Sequence, residues 1–136
     1  MADIAVATAG VIRIVESIQQ DTQPAGEAIV AGAPVRYDTN GAFVNGNGTT
    51  ATEAACYGIA TKSAATGEAV TAVRQGVLDG FTFSQAYGAR IYISDTDARL
   101  GDVAGTTSVL VGRVIPGRAT ALGSAADKLL HVDLPS

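Results

Sequence analysis

The segment Gly112-Arg-Val-Ile-Pro-Gly117-Arg118-Ala119 has the glycine spacing of a phosphate-binding loop, G-x-x-x-x-G-K-[ST]. The chemistry of such a loop fails here at three positions. Arg118 stands where a lysine should reach the β- and γ-phosphates, and Ala119 where a hydroxyl should ligate Mg²⁺. Pro116 removes an N–H from a loop whose amides must cradle phosphate. A strand ending in a Pro-Gly turn accounts for the same residues.

The acids Asp95, Asp97 and Asp102 suggest a calcium loop, but Arg99 falls at the third-ligand position and Thr106 at the terminal glutamate. Turn capping by Asp side chains explains them without a metal. His131 is the one histidine and alternates with apolar neighbours in Leu129-Leu-His-Val-Asp-Leu134. It has no second histidine and no cysteine at metal-ligand spacing. Cys56 is the one cysteine, so no internal disulfide forms, and its Ala54-Ala-Cys-Tyr57 setting reads as a small buried apolar group. No Gly-x-Ser-x-Gly elbow exposes a serine. The expectation is therefore a non-enzyme with no catalytic residue, no metal and no cofactor. Asn47-Gly-Thr49 matches the glycosylation sequon, which has a consequence only in a secreted chain.

The elements that carry these residues read as strands. Val11–Ile18 is β-branched and forms the first one, with Ile12, Ile14, Glu16 and Ile18 on one face. Residues 21–26, with Pro24, read as a turn, and 28–37 as a strand broken near Gly32 and Pro34. Two Asn/Gly/Thr clusters bracket Ala42-Phe-Val44, which signals a hairpin. Further strands are expected at 57–61, 68–74, 87–94, 108–115 and 129–134. The best helical candidate, 119–130, is weakened by Gly123.

Two stretches repeat one pattern. Gly32-Ala-Pro-Val-Arg-Tyr-Asp-Thr and Gly88-Ala-Arg-Ile-Tyr-Ile-Ser-Asp-Thr each enter a short strand from Gly-Ala and stop it at Asp-Thr. Each is followed by a second strand built around a glycine, Gly58 in one case and Gly112 in the other. The reading is all-β: a compact antiparallel β-barrel or sandwich made of two similar β-units. Residues 1–10, small and featureless, form an extended N-terminal arm, and 11–136 a single β domain.

The chain of 136 residues fits one domain, and its apolar fraction is rich in alanine, with no tryptophan and one methionine. Alanine buries little area, so the core is thin and association or docking has a physical motive. A formal net charge of −4, with the basic residues scattered, argues against a nucleic-acid partner. No apolar run is long enough to span a membrane. Met1-Ala-Asp3 places an acid where a signal peptide needs a basic region, so the expected place of synthesis is a cytoplasm.

Ala25-Gly-Glu followed by Ala31-Gly-Ala-Pro-Val35, then Tyr57-Gly-Ile-Ala60, Gly76-Val-Leu-Asp-Gly80, Tyr87–Thr96, Leu100 and Val111-Gly-Arg-Val114 resemble the capsid cement, or head decoration, proteins of tailed bacteriophages. The resemblance runs over residues 11–134. It implies a β-rich structural virion protein on the outer capsid surface, made in the host cytoplasm, that ties major capsid subunits together as a homotrimer. A capsid-facing contact is expected in the first fourteen residues, at Ile4, Val6, Val11, Ile12, Arg13 and Ile14. The alternative is a swinging-arm carrier domain of the lipoyl or biotin type, with Lys128 as its modified lysine, or another non-catalytic β binding module. The rhythm of residues 25–35 suggests that alternative, but Lys128 lacks the acidic or Met-flanked hairpin such a domain displays.

Overall fold

The computed structural model describes residues 3–6, 12–116 and 128–134. Its described residues form eleven strands and one short helix. The strands are β1 (Ala5–Val6), β2 (Arg13–Pro24), β3 (Pro34–Tyr37), β4 (Phe43–Asn45), β5 (Gly58–Ala60) and β6 (Ala69–Asp79), followed by β7 (Phe81–Thr82), β8 (Arg90–Ile93), β9 (Leu100–Gly101), β10 (Leu110–Pro116) and β11 (Lys128–Asp133); α1 is Ala51–Ala54. Nine strands make one antiparallel sheet that curls into a half-barrel, in agreement with the all-β reading. β1 and β7 form a separate two-stranded ladder.

β6 is the spine. One edge of it pairs with β2 along its whole length, from Arg13↔Asp79 to Pro24↔Ala69. The other edge pairs with two strands in turn: β5 at Ala72 and Val73, and β11 from Gln75 to Leu78. The sheet order β4-β3-β5-β6-β11-β10-β8-β9 is therefore palindromic. β3 lies between β4 and β5, and β8 lies between β9 and β10. The repeat in the sequence is a repeat of topology.

The register makes the equivalence residue by residue. Val35 faces Gly58 across the β3–β5 ladder, and Ile91 faces Gly112 across β8–β10. A Cβ on Gly58 would run into the carbonyl of Val73, and one on Gly112 into the carbonyl of His131. In each unit the third strand presses its glycine against the backbone of the strand that follows, and only a residue without a side chain allows that approach. The Asp-Thr strand stops are turn caps. Asp38 Oδ1 accepts from the Asn40 and Ala42 N–H groups, and Asp95 accepts from the N–H and hydroxyl of Thr106.

Buried apolar residues form two clusters. The larger is mostly Ile, Leu and Val, among them Ile59, Leu78, Ile91, Ile93, Val111 and Leu130. The smaller joins Val35, Phe43, Val70 and Ile29 with five alanines. The described part of the N-terminal segment lies against the body. Ile4 donates its N–H to the Leu100 carbonyl at 2.9 Å and its side chain is 4% exposed, while β1 pairs with β7.

Three local readings change. The turn expected at 21–26 is strand as far as Pro24, because β6 supplies a ladder partner for each pair of residues down to Ala69. Pro24 sits at the strand's last position, where a missing N–H costs least. A helical turn occurs at Ala51–Ala54; Thr50 caps it by accepting from the Glu53 N–H at 3.2 Å, the first half of the Thr-x-x-Glu signature. Of the helix expected at 119–130, residues 119–127 lie outside the described residues, and Lys128–Leu130 belong to β11.

Candidate interaction surface

β2 is exposed along almost its entire length, on both faces. Among the described residues no strand pairs with its outer edge. Two bulges interrupt its ladder with β6. Val15 is the extra residue between Ile14↔Leu78 and Glu16↔Val77, and Ile18 the extra residue between Ser17↔Gly76 and Gln19↔Gln75. A third irregularity puts the extra residue, Arg74, on β6. A bulge re-aims the side chain it carries and breaks the flat hydrogen-bonding edge that invites strand addition. The result here is an edge with apolar side chains raised along it: Ile14 is 42% exposed, Val15 48% and Ile18 65%.

The structure divides the residues expected to contact a capsid. Ile4 and Ile12 are each 4% exposed and belong to the larger core, and Val6 packs against that core. Val11 lies outside the described residues. Arg13 and Ile14 open β2 and face solvent; the Arg13 guanidinium pairs with the Asp79 carboxylate at 2.5 Å. The surface that this part of the chain presents is thus Arg13 and Ile14, continued by Val15 and Ile18.

Beside β2 is an aromatic group. Tyr37 stacks on Phe43 with centroids 5.0 Å apart, and Tyr57 tilts against both at 5.5 and 5.9 Å. These are three of the chain's seven Tyr and Phe residues. The Arg74 guanidinium lies 5.3 Å above the Tyr57 ring and donates to the Tyr57 carbonyl at 2.9 Å. The Tyr37 hydroxyl donates to Asp21 of β2 at 2.5 Å. That bond, with the Gln23 amide, holds the Asp21 carboxyl below its usual value. Burial, then the Asp21 bond and charge, push the Tyr37 hydroxyl well up, and burial also raises Tyr57.

Tyr37, Ala55, Cys56, Tyr57 and Arg74 enclose an open pocket of about 300 Å³. Burial pushes the Cys56 thiol up to about 12, and its Sγ donates to the Glu53 carbonyl. The second unit places aliphatic core side chains at the matching positions. Tyr37, Phe43 and Tyr57 correspond by register to Ile93, Leu100 and Val111, which are buried core residues. Sequence reading passed over the pocket because residues 37, 57 and 74 meet only through the β3–β5–β6 pairing. Aligning the two repeats would have exposed it as an aromatic-for-aliphatic exchange.

The other chemical candidates are dispersed. Asp97 accepts from Asn47, Asp102 from Gln85, and Asp95 is held by Thr106. Among the described residues no three His, Cys, Asp or Glu side chains converge as a metal site. His131 lies within β11, paired with Arg113 and Val77. Lys128 is half-buried; its Nζ donates to the Gln85 carbonyl at 2.6 Å and lies 5.5 Å above the Tyr87 ring. Gly112–Pro116 of the phosphate-loop near-match are strand, and 117–119 lie outside the described residues. No described helix is long and apolar enough to cross a membrane.

No protein-family model matches the chain, and no curated protein matches it.

Proposed function

We propose that this protein is a structural virion protein that sits on the outside of a tailed-phage head and, as a homotrimer, ties neighbouring major capsid subunits together. The observation that carries the reading is β2: a twelve-residue edge strand, exposed on both faces, with Ile14, Val15 and Ile18 raised toward solvent. Monomeric proteins protect long edges or keep them polar. β2 is largely polar and its bulges blunt strand addition, so what it offers a partner is the raised group Ile14, Val15 and Ile18 and not its backbone edge.

The mechanism follows from multivalency. Packed DNA pushes the shell outward, so contacts between capsid subunits carry the load. A trimer presents three copies of one weak contact, and its summed avidity exceeds each contact by orders of magnitude. A rigid sheet suits this role, because the contact strand is fixed to the spine over its whole length and loses little freedom on binding. Arg13 and Ile14 are assigned the capsid contact, while Ile4, Ile12 and Val6 anchor the segment from within. The carrier-domain alternative is less well supported, since the Lys128 ammonium is held by Gln85 and Tyr87.

The test is co-sedimentation with heads of the parent phage stripped of this protein. Wild type binds saturably, and Ile14→Glu, an exposed position, lowers occupancy at least about tenfold, as loss of a central contact does. Equal occupancy for the two, or no binding by wild type, sinks the reading.

A further inference from the structure

The matching strands β4 and β9 are covered in different ways. In the first unit Ala25 bridges Phe43 of β4, and the Gly26 N–H donates to the Phe43 carbonyl at 2.8 Å. That cover continues directly from β2 and is held by the whole β2–β6 ladder. In the second unit residues 3–6 lie between two edges. Asp3 bridges Gly101 and the Ile4 N–H donates to the Leu100 carbonyl, both on β9, while Ala5 and Val6 pair with Thr82 and Phe81 of β7. The cleft reads this segment at three side chains. Ile4 is buried in the larger core. The Ser94 hydroxyl, itself fully buried, donates to the Asp3 carboxylate at 2.6 Å and accepts the Thr96 N–H. Val6 lies over Gly32, where a Cβ would come within 2.8 Å of Val6 Cγ2. A strand this short has no stability of its own, and a unit this small opens at far lower cost than the whole fold.

We propose that the cleft between β9 and β7 is an acceptor site for an extended peptide, and that residues 3–6 are its tethered ligand, docked reversibly. The ligand class is a strand with a carboxylate, a branched aliphatic side chain next to it, and a second one two residues on, as Asp3, Ile4 and Val6 stand here. Main-chain pairing to the two edges supplies affinity, and the Ile4 slot and the Ser94 hydroxyl supply selectivity, as in strand addition. The tether holds the resident segment at a high effective concentration, so a free peptide enters only when the resident one is out. Release uncovers an apolar slot beside β9. The first unit has no counterpart to this event, because its cover leaves only if β2 unzips from β6. The site does not depend on any contact with a capsid.

The experiment uses the full chain and a fluorescent synthetic peptide of residues 1–10, read by anisotropy. Ile4→Asp in the full chain withdraws the resident segment, and the wild-type peptide then binds saturably, at least about tenfold tighter than it binds the wild-type chain. Ile4→Asp in the peptide abolishes that binding, and Asp3→Ala in the peptide weakens it about tenfold, as loss of a hydrogen bond to a charged group does. Circular dichroism verifies that the Ile4→Asp chain is folded, and Ile4→Ala replaces it if it is not. Equal binding to the variant and wild-type chains, binding to neither, or binding indifferent to both changes in the peptide overturns the site. Hydrogen exchange of the wild-type chain is the second measurement. The amides of residues 3–6 exchange at least about a hundredfold faster than those of β6 and β11. Protection equal to that of β6 overturns reversible docking.

Discussion

The two β-units share a topology and differ in what they do with it. In the second, β8–β10 turn Ile91, Ile93 and Val111 into a dense aliphatic core with Leu100 and Leu130. In the first, β3–β5 build a smaller core that relies on alanines, and at the corresponding positions place Tyr37 and Tyr57 at the surface. The same backbone plan has been used once for burial and once for display. On the proposed function, the second unit with the C-terminal half of β6 is the supporting body, and the first unit with β2 is the side that meets the partner. Because β6 belongs to both, a load on β2 passes directly into the ladder that also holds β11.

The features common to both units should be the most costly to disturb. Gly58→Ala and Gly112→Ala each force a Cβ against a neighbouring carbonyl. Neither variant is expected to yield soluble folded protein, since a strain of several kcal/mol consumes most of the roughly 5–15 kcal/mol that holds a domain folded. Recovery of either as a protein with wild-type Tm breaks the equivalence of the two strands.

The units then separate under truncation. Ile93→Ala, in the aliphatic core, should cost about 2–5 kcal/mol in urea unfolding. Tyr37→Ala, at the matching position of the first unit, should cost less, about 1–2 kcal/mol, since its ring is partly in water and its packing is one-sided. Equal losses would mean that the first unit's aromatics serve the fold as fully as the second unit's core does.

The smallest effect is one of pH. Asp21 is held below its usual carboxyl value by the Tyr37 hydroxyl and Gln23. A carboxyl with a depressed folded pKa binds fewer protons when folded than when unfolded. Its contribution is complete above the unfolded value, near 3.8, and is lost as pH falls from there through the folded value. Tyr37→Phe should therefore flatten the fall in Tm below about pH 4 and leave its slope unchanged near neutrality. An unchanged acid limb would remove Tyr37 as the main cause.

Much of this fold was legible in the residues. The Gly-Ala entries, Asp-Thr stops and central glycines pointed to two similar units, and the register shows how the units match, with Val35 opposite Gly58 and Ile91 opposite Gly112. Strand content followed from β-branched runs and turn chemistry. The bulged edge of β2 and the aromatic pocket were far less legible. Bulges leave no composition signal, so simple alternation put Val15 and Ile18 on opposite faces of an ordinary strand. The extension of β2 through 21–24 depends on β6, fifty residues away, and the pocket depends on three strands meeting. Ile4 and Ile12 read as surface contacts because residues 4–14 have the character of a strand that could pair with another sheet edge; their burial is a property of the body they dock against.

The division into a side that meets the partner and a supporting body is tested most directly by hydrogen–deuterium exchange of the protein free and bound to stripped heads. Residues 13–24 of β2 should gain protection on binding, while 90–116 exchange at the same rate in both states. Protection confined to 90–116, with β2 unchanged, would contradict the account.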